Sequence, residues 1–220
     1  MTSPTTSERF AEPGPEPDDD DTDTRRRGQP STTRSLIEWI LVVAGAVAVA
    51  LLVRLFAVQA FYIPSESMEP TLEVNDRVLV NRLSYKLHDV NRGDVIVFEK
   101  PESLVTPAGP NEIKDLIKRV VALPGESVVF QDGNVYIDGR QLDEPYLPAG
   151  TVTQTGPGGV TWTHRCTIDD PCVVPAGTVW VMGDNRSNSE DSRWIGPVDQ
   201  DLIVGRAFVT VWPPDRLGGL

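Results

Sequence analysis

The stretch Phe61-Tyr62-Ile63-Pro64-Ser65-Glu66-Ser67-Met68-Glu69-Pro70-Thr71 divides the chain in two. Before it lies the one long apolar run of the sequence; after it the pattern changes to short alternating segments. Two serines, one residue apart, stand between two prolines. Each proline fixes its own φ and pushes the residue before it toward extended geometry. The stretch is therefore expected to be extended and rigid, presenting an exposed Ser67. Rigidity suits a nucleophile, because a reacting oxygen misplaced by about 1 Å costs roughly a hundredfold in rate. Taken alone, Ser-x-Ser-Met reads equally well as a surface turn.

Upstream, residues 36–58 are apolar except for Glu38 and Arg54. The uncharged centre, Trp39 to Val53, covers about 22 Å as a helix at 1.5 Å per residue, against a bilayer core of about 30 Å. Arg54 can snorkel to the interface, so a span counted across both charges is long enough. Arg25-Arg26-Arg27 and Arg34 precede it, which by the positive-inside rule predicts a cytoplasmic N-terminus. A twin-arginine export signal is a second reading of the same arginines. A cleaved leader is the rival to an anchor, since Val58-Gln59-Ala60 has the small-residue pattern of a cleavage site. The long acidic leader favours the anchor. Either reading puts residues 61–220 outside the cytoplasm.

Residues 1–33 read as a disordered tail, rich in Pro, Thr, Ser and Asp and too poor in apolar groups to offset the entropy of ordering. Its first 24 residues carry Glu8, Glu12, Glu16, Asp18, Asp19, Asp20, Asp21 and Asp23 against Arg9 alone. The whole chain of 220 residues has 20 basic and 32 acidic side chains, a formal charge of −12. That balance argues against nucleic acid as a partner, which needs a basic face. The only cysteines are Cys166 and Cys172, and there are two histidines; this argues against a structural zinc site. Outside the cell a small-loop disulfide is expected of the pair, against two unpaired thiols.

Downstream the reading is mainly β. Strands are expected at 76–81, 93–98 and 117–123, the last ended by Pro124-Gly125. Asp132-Gly133 between two β-rich runs, 127–131 and 134–137, predicts a hairpin. Asp138-Gly139 extends it into a meander. Residues 148–176 read as an irregular surface insert. Strands resume at 178–182 and 202–212. No amphipathic helix is expected after residue 61, and one contiguous core is expected. The domains are then a tail at 1–33, a transmembrane anchor at 34–60 and a β domain at 61–220.

A serine nucleophile needs a base. His88 lies in a polar stretch and His164 in the insert, so exposed histidine is the default for both. A lysine serves if its amine is neutral, which requires burial. Lys118 stands on an apolar strand, where alternation puts it with Val120 and Ala122 and puts Arg119 on the other face. An exposed edge-strand lysine is the bland alternative. Lys114, among acidic neighbours, reads as solvated. A third group is the polar loop 182–193, where Asp184 with Arg186 and Asp191 with Arg193 are expected to pair as forks. A solvated turn is its alternative.

Together, Ile63-Pro64-Ser65-Glu66-Ser67-Met68-Glu69-Pro70-Thr71-Leu72, Ile117-Lys118-Arg119-Val120-Val121-Ala122-Leu123-Pro124-Gly125-Glu126 and Gly183-Asp184-Asn185-Arg186-Ser187-Asn188-Ser189-Glu190-Asp191-Ser192-Arg193 resemble the bacterial type I signal peptidase family. The resemblance runs from the apolar run to about Trp212. It implies a membrane-bound serine endopeptidase that removes signal peptides after Ala-x-Ala by a Ser/Lys dyad, with no metal or cofactor. Ser67 matches the nucleophile and Lys118 the general base. Ser65 matches the oxyanion-hole hydroxyl, which acts with the Ser67 N–H. Ser189 matches the serine that orients the lysine. Asp184, Arg186, Asp191 and Arg193 match the loop framework, and Phe61, Ile63, Leu72 and Ile117 the shallow substrate pockets. Ala122 stands where the family often has Gly, and Glu126 where it often has Asp. The partners implied are preprotein signal peptides and the lipid bilayer, with the chain a monomer in the cell membrane and its catalytic domain extracytoplasmic. Self-cleavage after Ala60 is a further expectation. The rivals are a soluble self-cleaving repressor-type Ser/Lys protease, against which the apolar run argues, and an inactive membrane-anchored β scaffold.

Overall fold

The computed structural model describes residues 32–101, 114–153 and 166–220. The tail to residue 31, His164 and positions 154–165 of the insert lie outside the described residues. Helix α1 runs Thr32–Phe56. Its side chains are described over residues 35–51, and there Leu36, Ile37, Trp39, Ile40, Leu41, Val42, Val43, Val47, Val49 and Leu51 are all exposed. Among the described residues no helix is long and apolar enough to cross a membrane.

The remainder is mainly β, as expected. In chain order come β1 Val58–Tyr62, β2 Arg77–Asn81, the single-turn helix α2 Ser84–Leu87, β3 Val95–Glu99 and β4 Asp115–Ala122. Then follow β5 Ser127–Gln131, β6 Asn134–Ile137, β7 Arg140–Gln141, β8 Cys172–Val173 and β9 Thr178–Met182. The single-turn helix α3 Ser192–Ile195, β10 Val198–Asp199, β11 Ile203–Trp212 and β12 Gly218–Gly219 complete it. The larger sheet has the order β1-β2-β11-β3-β4-β9-β10, with β12 on β11; the smaller is β7-β6-β5-β8. All pairs are antiparallel.

The Asp-Gly turns work as the sequence predicts. Asp132 and Gly133 sit at φ 51° and 76°, and Asp138 and Gly139 at 49° and 75°. A two-residue type I′ hairpin needs positive φ at both positions, which Asp tolerates and Gly adopts freely. The insert is less irregular than expected: Cys166 and Cys172 are joined as a disulfide, and β8 pairs with β5 at Val128↔Cys172.

Two expectations are corrected here. The core is not one contiguous cluster. Strand alternation sends Val95 and Val97 of β3 to one face, with Ile63, Met68, Leu72 and Ile117. Ile96 and Phe98 go to the other, with Val120, Val179 and Val181. Trp180 and Met182 of β9 join the residues of the small sheet in a third cluster. The central strands β3, β4 and β9 are thus buried on both faces, and β3 and β9 read as near-continuous apolar runs, whereas β2 alternates between buried and less buried positions. The second correction concerns the end of the apolar run. Val58 to Ala60, read as the last residues of the anchor, belong to β1 and pair with Asn81, Val80 and Leu79 of β2. This ladder holds the Ala60–Phe61 bond and opposes the self-cleavage expected there. Active protein kept concentrated is expected to yield no chain beginning at Phe61 on N-terminal sequencing.

Candidate active site

The Ser67 stretch is extended only through Ile63 and Pro64, after which it turns. Glu69 N–H donates to the Glu66 carbonyl at 3.1 Å, and Leu72 N–H to the Met68 carbonyl at 2.9 Å. The reason is apolar. Met68 and Leu72 are wholly buried, each contributing on the order of 1.5–3 kcal/mol by leaving water, and they draw the chain inward. Ser67 is consequently 9% exposed rather than projecting into solvent.

Strand β4 brings Lys118 to it. Lys118 Nζ lies 2.8 Å from Ser67 Oγ and donates to the Ile117 carbonyl at 2.9 Å. The side chain is buried at 3% exposure. Burial pushes its pKa from 10.5 down to about 8; Arg193 adds to the effect, and the carboxylates of Asp191, Glu190 and Asp184 oppose it. At that pKa about one amine in ten is neutral at pH 7, against roughly one in a few thousand for a free lysine. Ser65 Oγ lies 3.3 Å from Ser67 Oγ. His88 is exposed, its Nδ1 2.8 Å from the Asp89 carbonyl, and has no part in this group.

The polar loop after β9 holds the turn from beneath. Asn185 N–H donates to the Ser67 carbonyl at 3.1 Å, and its side-chain amide to the Glu66 carbonyl at 3.1 Å. Gly183 N–H donates to Asp191 Oδ2 at 2.9 Å, and its carbonyl accepts from Arg186 Nε at 3.1 Å. Asp191 is forked by Arg193 Nε and Nη2, both at 2.8 Å, so this expected pair forms. The Asp184–Arg186 pair does not. Asp184 takes Arg119 Nε at 2.9 Å and Nη2 at 2.6 Å, together with the Thr71 hydroxyl at 2.5 Å. Arg186 is forked by Glu144 instead. Asp184 and Arg186 take partners distant in sequence rather than each other; Arg119, Asp184 and Arg186 are buried, and a buried charge needs a near-complete shell.

Ser189 is brought against Gly183, yet its buried hydroxyl has no hydrogen-bond partner; it does not reach Lys118. A Cβ at Gly183 would collide with Ser189 Oγ and with the Ser67 carbonyl. Gly183→Ala is therefore expected to displace Ser67 and lower kcat by about a hundredfold, read as initial cleavage rates of the folded variant.

Beside Ser65 and Lys118 lies a cavity of about 60 Å³, lined also by Phe61, Ile63, Val97 and Ile117. It has room for a small side chain only. Leu72 is not part of it; it is fully buried in the cluster behind, with Met68 and Val78. Arg119, Thr71 and Glu144 are the participants that sequence reasoning missed. A buried arginine on an apolar strand signals a required carboxylate, so Arg119 was findable in principle. Nothing in the sequence marks Glu144.

A family model described as "Signal peptidase, peptidase S26" matches residues 36–212. Among curated relatives, signal peptidase I of Leptolyngbya laminosa is 43% identical over 192 residues, 87% of each chain. A probable signal peptidase I-2 of Synechocystis is 40% identical over 173 residues, 79% of this chain and 72% of the relative. Signal peptidase IB of Staphylococcus aureus is 36% identical over 186 residues, 82% of this chain and 91% of the relative. With that extent of match, and with a serine and a buried lysine in contact at its centre, the chain belongs to the signal peptidase (peptidase S26) family.

Proposed function

We propose that this serine endopeptidase removes signal peptides with Ser67 as nucleophile and Lys118 as general base. The single observation that carries the dyad is the 2.8 Å approach of Lys118 Nζ to Ser67 Oγ inside a buried site. Neutral Lys118 takes the Ser67 proton as Oγ attacks the substrate carbonyl carbon. The oxyanion is received by the Ser65 hydroxyl and the Ser67 N–H; one such donor is typically worth roughly 10²–10³ in rate. The tetrahedral intermediate collapses as Lys118 ammonium protonates the departing amine. Lys118, neutral again, takes a proton from a water that attacks the acyl-serine ester, then returns it to Ser67 Oγ as the ester bond breaks, and the signal peptide leaves with a free carboxylate. Asp184, Arg186, Asp191 and Arg193 keep the loop under Ser67 in place. Ser189 packs on Gly183 beneath the Ser67 carbonyl.

The small cavity next to Ser65 and Lys118 suits alanine beside the scissile bond, and the substrates are preproteins cut after Ala-x-Ala. The apolar run 36–58 is the membrane anchor in this reading; what supports it is the row of exposed hydrophobic side chains from Leu36 to Leu51 on helix α1, interrupted there by Glu38 alone among charged residues. The N-terminus is cytoplasmic, the β domain acts outside, and the chain works as a monomer on the bilayer. The test is cleavage of a preprotein carrying an Ala-x-Ala site by the full-length protein in detergent, with sequencing of the product. Wild type is expected to cut after the second Ala and Ser67→Ala to cut nothing. Equal cleavage by both removes Ser67 from the mechanism.

A further inference from the structure

The framework under Ser67 extends beyond the three sequence motifs. Two buried arginines hold the two ends of the nucleophile turn. At the first end, Arg186 Nε holds the Gly183 carbonyl, and Gly183 packs on the Ser67 carbonyl. At the other end, Arg119 forks Asp184, which accepts the Thr71 hydroxyl. Both arginines meet one short segment after β7. Glu144 forks Arg186 through Nη1 at 3.0 Å and through Nη2. The two side chains are 12% and 1% exposed. The Tyr146 ring lies 4.1 Å from the Arg119 guanidinium carbon, and its hydroxyl donates to Glu144 Oε1 at 2.7 Å. A planar cation stacked on a ring face and a bidentate fork are both orientation-specific contacts.

We propose that Glu144 and Tyr146 are positioning residues for the Ser67 turn, acting on its two ends through Arg186 and Arg119. The inference rests on the Ser67–Lys118 reading above. The tyrosine suits the role because burial, then the Glu144 carboxylate, push its pKa up, so it stays a hydrogen-bond donor. Thr153 completes the grip: its hydroxyl accepts from Arg186 Nη1 at 2.8 Å, and its N–H donates to the Gly133 carbonyl of the β5–β6 turn at 2.8 Å. The small sheet thereby braces the catalytic loop.

Glu144→Gln keeps the shape but turns an amide donor toward a guanidinium, which has only donors. Arg186 rotates, Gly183 loosens, and Ser67 Oγ drifts from Lys118 Nζ. The cavity that takes the substrate is built from other residues, so KM is expected to stay within about twofold while kcat falls about tenfold. Looser packing also lets water reach Lys118. The rising limb of the pH–rate profile then moves above the wild-type midpoint, because less desolvation means a higher lysine pKa.

The experiment is steady-state cleavage of an Ala-x-Ala preprotein across pH by the full-length wild type, Glu144→Gln, Tyr146→Phe and the exposed neighbour Asp143→Asn. Melting curves are recorded alongside. A kcat loss with a raised limb in Glu144→Gln, a smaller loss in Tyr146→Phe and none in Asp143→Asn supports the inference. Folded variants with the wild-type kcat and limb overturn it, as does a loss of activity that only follows the loss of folded protein. If Glu144→Gln does not fold, Tyr146→Phe decides by the same two readouts. A wild type that cuts nothing overturns the dyad reading and this inference with it.

Discussion

Lys118→Met is expected to abolish cleavage and to make the folded domain more stable at neutral pH. The two effects have one cause. Burial lowers the lysine pKa from 10.5 to about 8. At pH 7 the folded state therefore holds a charge it disfavours, while the unfolded chain holds the same charge in water. The penalty is present in full below pH 8 and is relieved as pH rises from 8 to 10.5, where the unfolded chain still binds the proton and the folded one has lost it. At about 1.36 kcal/mol per pKa unit the penalty is on the order of 3 kcal/mol. Methionine fits the volume and removes the charge, but leaves the Ile117 carbonyl without its donor, a loss of about 1 kcal/mol. The net expectation is roughly 2 kcal/mol of added stability at pH 7, shrinking toward and below zero by pH 10.5. Chemical unfolding of both proteins at pH 7 and pH 10 reads it. A variant less stable than wild type at both pH values contradicts a strained lysine.

Asp184→Asn is expected to cost both stability and activity. Its carboxylate is fully buried and answers Arg119, whose side chain is 8% exposed. Removing one charge of such a pair leaves the other buried and alone, at a cost of about 3–5 kcal/mol. For a domain of this size that lowers Tm by on the order of 10 °C. Activity falls as well, because the Thr71 hydroxyl loses its strongest acceptor and the end of the nucleophile turn is freed. The double variant Arg119→Met with Asp184→Leu separates the two effects. Replacing a buried pair by apolar groups is often close to neutral for stability, so its Tm should recover. Its cleavage rate should not, since the hold on Thr71 is still missing. Recovery of both would show that the pair supports only the fold.

The sequence made the strands legible wherever local chemistry decides them. Asp132-Gly133 and Asp138-Gly139 specify their turns by φ alone. The apolar runs 95–98 and 179–182 form central strands buried on both faces. Strand β1 was hidden because it starts at Val58, the last residue of the apolar run, and only its partner β2 reveals Val58 to Ala60 as strand. Contacts across long sequence separations were less legible. Lys118 and Ser67, 51 residues apart, meet as the family resemblance implies. Asp191 and Arg193 pair as near neighbours do. Asp184 bypasses Arg186 for Arg119, 65 residues away, and Arg186 bypasses Asp184 for Glu144. Local spacing cannot rank such partners, because burial and strand register choose between them. Leu72 looked like a pocket residue for a similar reason. Its neighbour Met68 turns with it into the core, and the sequence does not show that the turn closes inward.

The dyad is tested most directly by the pH dependence of kcat/KM for the wild-type protein in detergent, on a preprotein with an Ala-x-Ala site. A bound proton on the base blocks the reaction, so activity should rise with pH through a single limb centred at about 8, the value to which burial brings Lys118. The limb should persist in His88→Ala and in His164→Ala. A limb centred near 6.5, the ordinary histidine range, that disappears on replacing either histidine would contradict Lys118 as the base.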